Sequence, residues 1–536
     1  MSGPRDAGTA ARLRFPWRAT FVVWALLSAL SAVWALATPI GASPDEPAHI
    51  VRAASVARGQ IVGTPSPDGH VVTVPEYIAL TQKDTCFAFK PDVTANCPVA
   101  APAAPGALTT ATTTAGLYNP LYYAAVGWTS LLFHDSGGIY AMRLVSAVIA
   151  SLFAALAFGV LRTLPGRRIA ALGFAVAITP MTLFLNASVN PNGIEATATL
   201  AVFAGVLAVV IDRRPGLIWH RAVIAGVSGI VAVNARGLSP LWVFVAAVLP
   251  LVLLSGRELG ALLRRPAVLT AIGAIAVGAV AALAWTLGSN SLLNAVDNPD
   301  QTPQHYAGVG TNPLTGAWLT LTRTVEFAHG VVGIFGWLDT PAPAEVYFLW
   351  AALVGLMLLA AFTLLRRRRL LLAGLLLGAF LLLPPIVQGV YITGGGLIWQ
   401  GRYNLPMFLC MVVGVGVLLG ESVLEGATGP GHWTTAPWAS VTWRRLGWIV
   451  AVALAFGQFY SFENTLRRYT VGIGGSLKQM LVGSSPWTPP GGAAALLALF
   501  AGLCVVGVWL TLREAFGPRA PKPAPALVTP AATGLE

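Results

Sequence analysis

Residues 344–365, AEVYFLWAALVGLMLLAAFTLL, run into Arg366-Arg367-Arg368-Arg369 and then into residues 370–392, LLLAGLLLGAFLLLPPIVQGVYI. Each apolar run is long enough to cross a bilayer as a helix, which takes about 20 residues. Four consecutive arginines cannot rest in hydrocarbon, so they mark a turn at a membrane surface. Lys and Arg collect on the cytoplasmic side of short loops, so this turn marks the inside. Extending the same reading in both directions predicts twelve spans. They lie near 17–39, 138–162, 168–187, 194–211, 221–235, 239–255, 267–287, 344–365, 370–392, 404–420, 446–462 and 492–512.

Composition agrees with that reading. Of 536 residues, 56% are hydrophobic and only 10% are charged, against roughly 25% charged in a soluble domain. Mean hydropathy is +0.71. A water-exposed fold of this size is excluded, because so little polar surface could not cover it. The formal net charge is +12. Two thirds of the 33 Lys and Arg fall in clusters on one side of the predicted spans, and two thirds of the 21 acids fall on the other. The basic balance therefore reports topology and not nucleic-acid binding. It predicts a multi-pass plasma-membrane protein with both termini cytoplasmic. Residues 1–16 form an inner N-terminal segment, 17–512 the membrane domain, and 513–536 an inner tail that is Pro/Ala-rich and disordered past Gly517. The first span follows arginines and ends in Ala35-Leu36-Ala37, as a signal peptide can. Its apolar core is longer than the usual signal core, so it is read as an anchor.

Three outer loops are expected, near 41–137, 288–343 and 463–491, and chemistry is expected there. The apolar stretch Tyr118 to Phe133 would invert every later span if it crossed, so it is read as re-entrant or lying at the interface. Cys86 and Cys97 share the first outer loop, where an oxidising compartment favours a disulfide. Cys410 and Cys504 fall inside spans. No Cys or His spacing suggests a metal site, although Asp45 with Glu46 could hold a divalent ion weakly.

Directly after the first span comes Ser43-Pro44-Asp45-Glu46-Pro47-Ala48-His49. Ser43 is a good N-cap, Pro44 suits the first helical position, and Glu46 completes a capping box. A helix from Pro44 to about Arg58 would set Asp45, His49 and Arg52 on one face. An acid where a span meets a large outer loop is a candidate general base. Asp45 is the first choice and Glu46 the second, with the cap as Glu46's plainer role. His49 is either packed or part of the site.

Five stretches in order resemble the family numbered 2142 among domains of unknown function, found in bacterial membrane proteins. The stretch from Ser43 to His49 resembles its PDEPAH signature. Tyr118-Asn119-Pro120-Leu121-Tyr122-Tyr123 resembles HPPLYY. Ser188-Val189-Asn190-Pro191-Asn192 resembles SxNPD. Gly333-Ile334-Phe335-Gly336-Trp337-Leu338-Asp339 resembles GxFGWLD. Gln400-Gly401-Arg402-Tyr403 followed by Leu405-Pro406 resembles QGRYxLP. Two departures stand out: Asn192 replaces the usual Asp, and Tyr118-Asn119 replace His-Pro.

The family looks like a branch of the GT-C glycosyltransferases. The resemblance implies a polyprenyl-phosphate-linked sugar donor, transfer on the outer face, and a catalytic acid that maps to Asp45. The acceptor would be a cell-envelope glycan or lipid, and direct displacement with one carboxylate would invert the sugar. Arg402 is the first candidate for the donor phosphate, because a guanidinium makes paired, charge-assisted contacts to phosphate. Gln400, Tyr403 and Arg52 follow, with Arg143 and Arg323 as alternatives. His49, Tyr118, Asn119, Asn190, Asn192, Trp337 and Asp339 are candidates for sugar or acceptor contacts. Trp337 could equally belong to an interfacial aromatic belt, and Asn190 and Asn192 could be helix caps. Two other functions compete: a lipid-linked glycan flippase or transporter, and a ligase or polymerase using a pyrophosphate-linked oligosaccharide.

Overall fold

The computed structural model describes residues 14–83, 85–98, 101–289, 307–428, 441–483 and 485–517. The segment 1–13 and the tail past Gly517 expected to be disordered lie outside these residues. The protein is an all-α polytopic membrane protein. Among the described residues, ten helices are long and apolar enough to span a bilayer. An eleventh passage is a broken pair, Arg167–Ala177 and Pro180–Asn186, bent by 68°. This corrects the single straight span expected at 168–187. Pro180 lacks the N–H that would continue the helix, and Thr179 starts a new one by accepting from the Thr182 amide. The remaining expected span, 239–255, is the shorter apolar helix Ser239–Leu253.

Burial separates central from peripheral helices. Pro191–Ile211 and Gly401–Val423 are 89% buried, whereas Pro266–Gly288 and Ala344–Leu364 are 17% buried and present apolar side chains outward. Small residues let the central helices approach closely, since apolar side chains have no water to flee within lipid. At one crossing, the Cβ position of Gly173 lies 3.1 Å from the Gly416 Cα, so a larger residue would push the two helices apart.

The loop expected near 41–137 is more structured than expected. It carries a three-stranded antiparallel sheet, Thr64–Ser66, Gly69–Pro75 and Leu108–Thr113. His70 pairs with Thr113 and Pro75 with Leu108. Tyr118 to Phe133 folds as a short helix, Pro120–Gly127, and a 3-10 turn, Trp128–Leu131. The expected 446–462 span is longer, Val441–Val471, and carries Arg467 and Arg468 on the helix itself. Cys86 and Cys97 are joined by a disulfide with Cα atoms 5.6 Å apart.

Candidate active site

The first span ends at Ala37, and the chain turns through residues 38–45 into a second helix, Glu46–Ala57. The expected capping box is absent: the Ser43 hydroxyl is buried without a partner, and the helix begins two residues later than expected. Asp45 occupies the N-cap position with φ 62°, in the left-handed region. Such a conformation is uncommon outside glycine, though Asp tolerates it better than most, and it is strained. It splits the two adjacent acids. Asp45 points to the rim, with its side chain 51% exposed, whereas that of Glu46 is fully buried.

Glu46 is thereby corrected from catalytic candidate to anchor. Its carboxylate receives Arg143 Nε at 2.8 Å and Nη2 at 2.5 Å, and the Val189 amide at 3.0 Å. Arg143 also donates to the carbonyls of Ala35 and Thr38, at 3.0 and 2.6 Å, and of Pro39 at 2.7 Å. A cation thus satisfies the free carbonyls where the first span ends. Both carboxylate oxygens of Glu46 are thus engaged, by Arg143 and the Val189 amide. Among the described residues no group of three or more His, Cys, Asp or Glu could hold a metal ion.

Asp45 meets Arg402 from the far end of the chain, Nη2 to Oδ2 at 2.6 Å. Arg402 sits in a 3-10 turn, Gly401–Asn404, before the helix Leu405–Thr428. Gly401 lets that turn press against the helix Thr324–Gly333; a Cβ there would meet the Phe327 carbonyl oxygen at 2.5 Å. Arg402 is buried, and its Nε and Nη1 have no partner. A buried charged donor left unmatched is costly, which marks the guanidinium as incomplete without a further anion or polar group.

Around this pair lies a ring of named candidates. The Tyr403 hydroxyl lies 3.4 Å from Arg402 Nη2. Its ring faces two guanidiniums, Arg236 at 4.5 Å and Arg402 at 5.3 Å. Tyr118 accepts from Arg236 and packs edge-on against His49. His49 Nδ1 is 2.8 Å from the Tyr123 hydroxyl. Burial, joined by the Arg236 and Arg402 charges, pushes the His49 pKa down to about 3 against the pull of Asp45. His49 is therefore neutral at physiological pH. For Asp45, burial raises the proton affinity, but Arg402 and its companions outweigh it and hold the carboxyl below its ordinary value.

Arg236 is the residue that sequence reasoning missed. It lies in the short link between Pro215–Val233 and Ser239–Val248. It donates to Asn192 Oδ1 at 2.6 Å and lies 3.5 Å from Glu195, which also accepts from Ser239 at 2.6 Å. The available signal was a lone cation in the short link between two expected spans, beside polar Asn234.

Other candidates hold the frame. Arg52 is buried and donates to the carbonyls of Ile61 and Tyr118, at 2.7 and 2.8 Å, so both its terminal nitrogens are held by backbone and only its Nε is unmatched. Asn190 caps the helix Pro191–Ile211 and donates to the Pro44 carbonyl at 3.0 Å, next to Asp45. Asn192 joins Asn190 to Arg236. Asn119 caps Pro120–Gly127 and donates to Asn234 at 2.8 Å. Trp337 donates to the Gly41 carbonyl at 3.0 Å and packs on Phe89. Asp339 pairs with buried Arg468 at 3.1 Å, and Arg468 also binds the carbonyls of Phe87, Lys90 and Val93. These two residues thus fasten the disulfide loop. Gln400 lines a cavity of about 120 Å³ with Trp399, Arg402 and Pro44, and its Oε1 has no partner.

No curated protein matches this chain. Among solved structures, it is similar to ArnT from Cupriavidus metallidurans, crystallised with undecaprenyl phosphate. That likeness has 17% identity and a TM-score of 0.39, and covers 94% of this chain and 77% of that one. The family model described as "Predicted membrane protein (DUF2142)" matches residues 29–411, which contain Asp45, Arg236 and Arg402, and the chain belongs to that family.

Proposed function

We propose that the protein is a membrane glycosyltransferase. In this reading it moves a sugar from a polyprenyl-phosphate donor to a cell-envelope glycan or lipid acceptor on the outer face of the plasma membrane, with inversion. The observation that carries the reading is the Asp45–Arg402 pair: a half-exposed carboxylate bound to a buried guanidinium whose other donors are unmatched. Such a guanidinium suits a phosphate, and such a carboxylate suits an acceptor hydroxyl. The many apolar spans suit a donor with a long isoprenoid tail.

The donor phosphate docks on Arg402 and competes with Asp45 for its Nη2 donor. Losing that partner raises the basicity of Asp45 when the substrate is in place. The acceptor hydroxyl then gives its proton to Asp45 while its oxygen bonds to the anomeric carbon. The bond from that carbon to the phosphate oxygen breaks, and the polyprenyl phosphate leaves with the electron pair. Arg402 stabilises the charge that grows on it. Arg236 is the second cation at the site, oriented by Asn192 and Glu195. Glu46 and Glu195 are both buried with arginines. Neither is free to act as the nucleophile that a retaining double displacement needs.

The test is the full-length protein in liposomes, offered a panel of polyprenyl-phosphate sugars with glycan and lipid acceptors. Turnover on at least one monophosphate donor is expected. Turnover only with a pyrophosphate-linked oligosaccharide would replace this reading with a ligase. Movement of lipid-linked glycan between leaflets without bond cleavage would replace it with a flippase.

A further inference from the structure

A cavity much larger than the one beside Gln400 lies at the opposite end of the bundle from Asp45. It forms where four helices begin or end together: the start of Trp17–Ala37, the end of Gly137–Leu161, the start of Arg167–Ala177 and the end of Ala493–Phe516. It encloses about 790 Å³, within the range of small-molecule sites. Its walls are apolar, with Leu27, Leu30, Phe174 and Leu183 among them. At the helix ends the lining is basic: Arg14, Arg18, Arg162, Arg167 and Arg513 stand against the single acid Glu514. Glu514 is already paired with Arg162 at 3.1 Å. Arg14, Arg18 and Arg513 are exposed.

An apolar slot between membrane helices with surplus cations at its mouth matches one chemistry, a lipid whose headgroup carries a net negative charge. We propose that this groove binds an anionic phospholipid, with the phosphate among Arg14, Arg18 and Arg513 and an acyl chain along Leu27 and Leu30. Charge complementarity selects this occupant. The flanking tails carry Arg5 with Arg12, and Arg519 with Lys522. Neither brings the net negative charge that the mouth calls for. The groove has an open wall at Gly507, where an added Cβ would meet only the Leu26 side chain, at 3.9 Å. A chain can therefore lie there without displacing backbone.

The experiment uses the full chain in phosphatidylcholine vesicles containing a phosphatidylglycerol with a photoreactive acyl chain. Labelled peptides are mapped by mass spectrometry. Label is expected on the peptides spanning 19–30 and 503–511. Each cation at a membrane surface contributes about fivefold to binding of anionic lipid. The double variant Arg18→Gln/Arg513→Gln should therefore raise the half-labelling concentration about 25-fold. Arg366→Gln/Arg368→Gln removes the same charge from a different pocket and should leave labelling of these peptides unchanged. Gly507→Leu fills the slot and should abolish labelling without shifting the unfolding temperature. Three outcomes overturn the proposal: equal labelling by a phosphatidylcholine probe, equal loss in the Arg366/Arg368 control, or preferential displacement of the probe by a polyprenyl phosphate.

Discussion

Asp45 and Glu46 are neighbours in the chain, and each has an arginine partner from a distant segment, yet their surroundings differ completely. The Glu46–Arg143 pair is closed. Both side chains are at most 1% exposed, and the glutamate also binds a backbone amide while the arginine binds three carbonyls. The Asp45–Arg402 pair is open. Its acid is half exposed, and its arginine retains two unmatched donors. A buried ion pair with full hydrogen bonding specifies a geometry, and breaking it leaves a stranded charge. A pair with unmatched donors is prepared for something else to bind. The comparison teaches that charge and position in the motif do not separate anchor from reagent. Satisfaction of each polar atom does.

The sharpest way to break this contrast is to change one member of each pair. Asp45→Asn keeps the shape and removes the base, so transfer should fall by about 10²–10⁴-fold in liposomes while yield and unfolding temperature hold. Near-normal turnover would remove Asp45 from the chemistry. Glu46→Ala should act on the fold instead. It strands the Arg143 guanidinium, at a cost of about 3–5 kcal/mol. Reduced recovery and a lower unfolding temperature in detergent check this, and any surviving protein should retain most of its turnover per folded molecule.

Arg402→Lys gives a smaller change and sharpens the arginine's role. It retains the charge and loses the planar fork, so turnover should fall by about 10²-fold, with donor KM rising more than acceptor KM. Equal shifts in both would detach Arg402 from the donor phosphate. Arg236→Gln comes next, at about tenfold. Arg236 is offset by Glu195 and is already held by Asn192 and Tyr118, so it adds field more than direct contact.

Four of the five motif stretches meet at this site, and that much was legible in the sequence. Asp45, His49, Tyr118, Asn192, Arg402 and Tyr403 do gather at one place. The sequence ranked Asp45 above Glu46 but kept both as acids of the site, with a cap as the other role for Glu46. Their fates divide at a left-handed backbone angle, which depends on tertiary packing and not on residue type. Trp337 and Asp339 looked like sugar contacts because an aromatic beside an acid is a common sugar-binding pair. The partner of Asp339, Arg468, lies on a helix that runs nine residues beyond the span expected to end at 462, so it was read as loop. The spans were legible because twenty apolar residues in a row have few alternatives. The strands were not, although the β-branched runs Val71-Val72-Thr73-Val74 and Thr109 to Thr113 carry a strand signal. The loop that contains them was treated as a single block.

The smallest effect separates the two regions by pH. His49 belongs to the open site but is buried and neutral, with its pKa pushed down to about 3 from an ordinary 6.5. The unfolded chain therefore binds a proton at His49 between those values and the folded chain does not. Stability must then be fully present above pH 6.5 and fall as pH is lowered toward 3. Between pH 6.5 and 5 the loss is on the order of 2 kcal/mol, and His49→Gln should flatten that part of the curve, as read by unfolding temperature against pH. The Asp45–Arg402 pair has the opposite kind of partner. Its acid is held below the ordinary carboxylate value, so its contribution is present above about pH 4 and is lost only below that. A turnover profile with an inflection near 6.5 that His49→Gln removes would show His49 protonating in the folded protein. It would then have to share the Asp45 carboxylate with Arg402, and the open pair would be a three-membered relay.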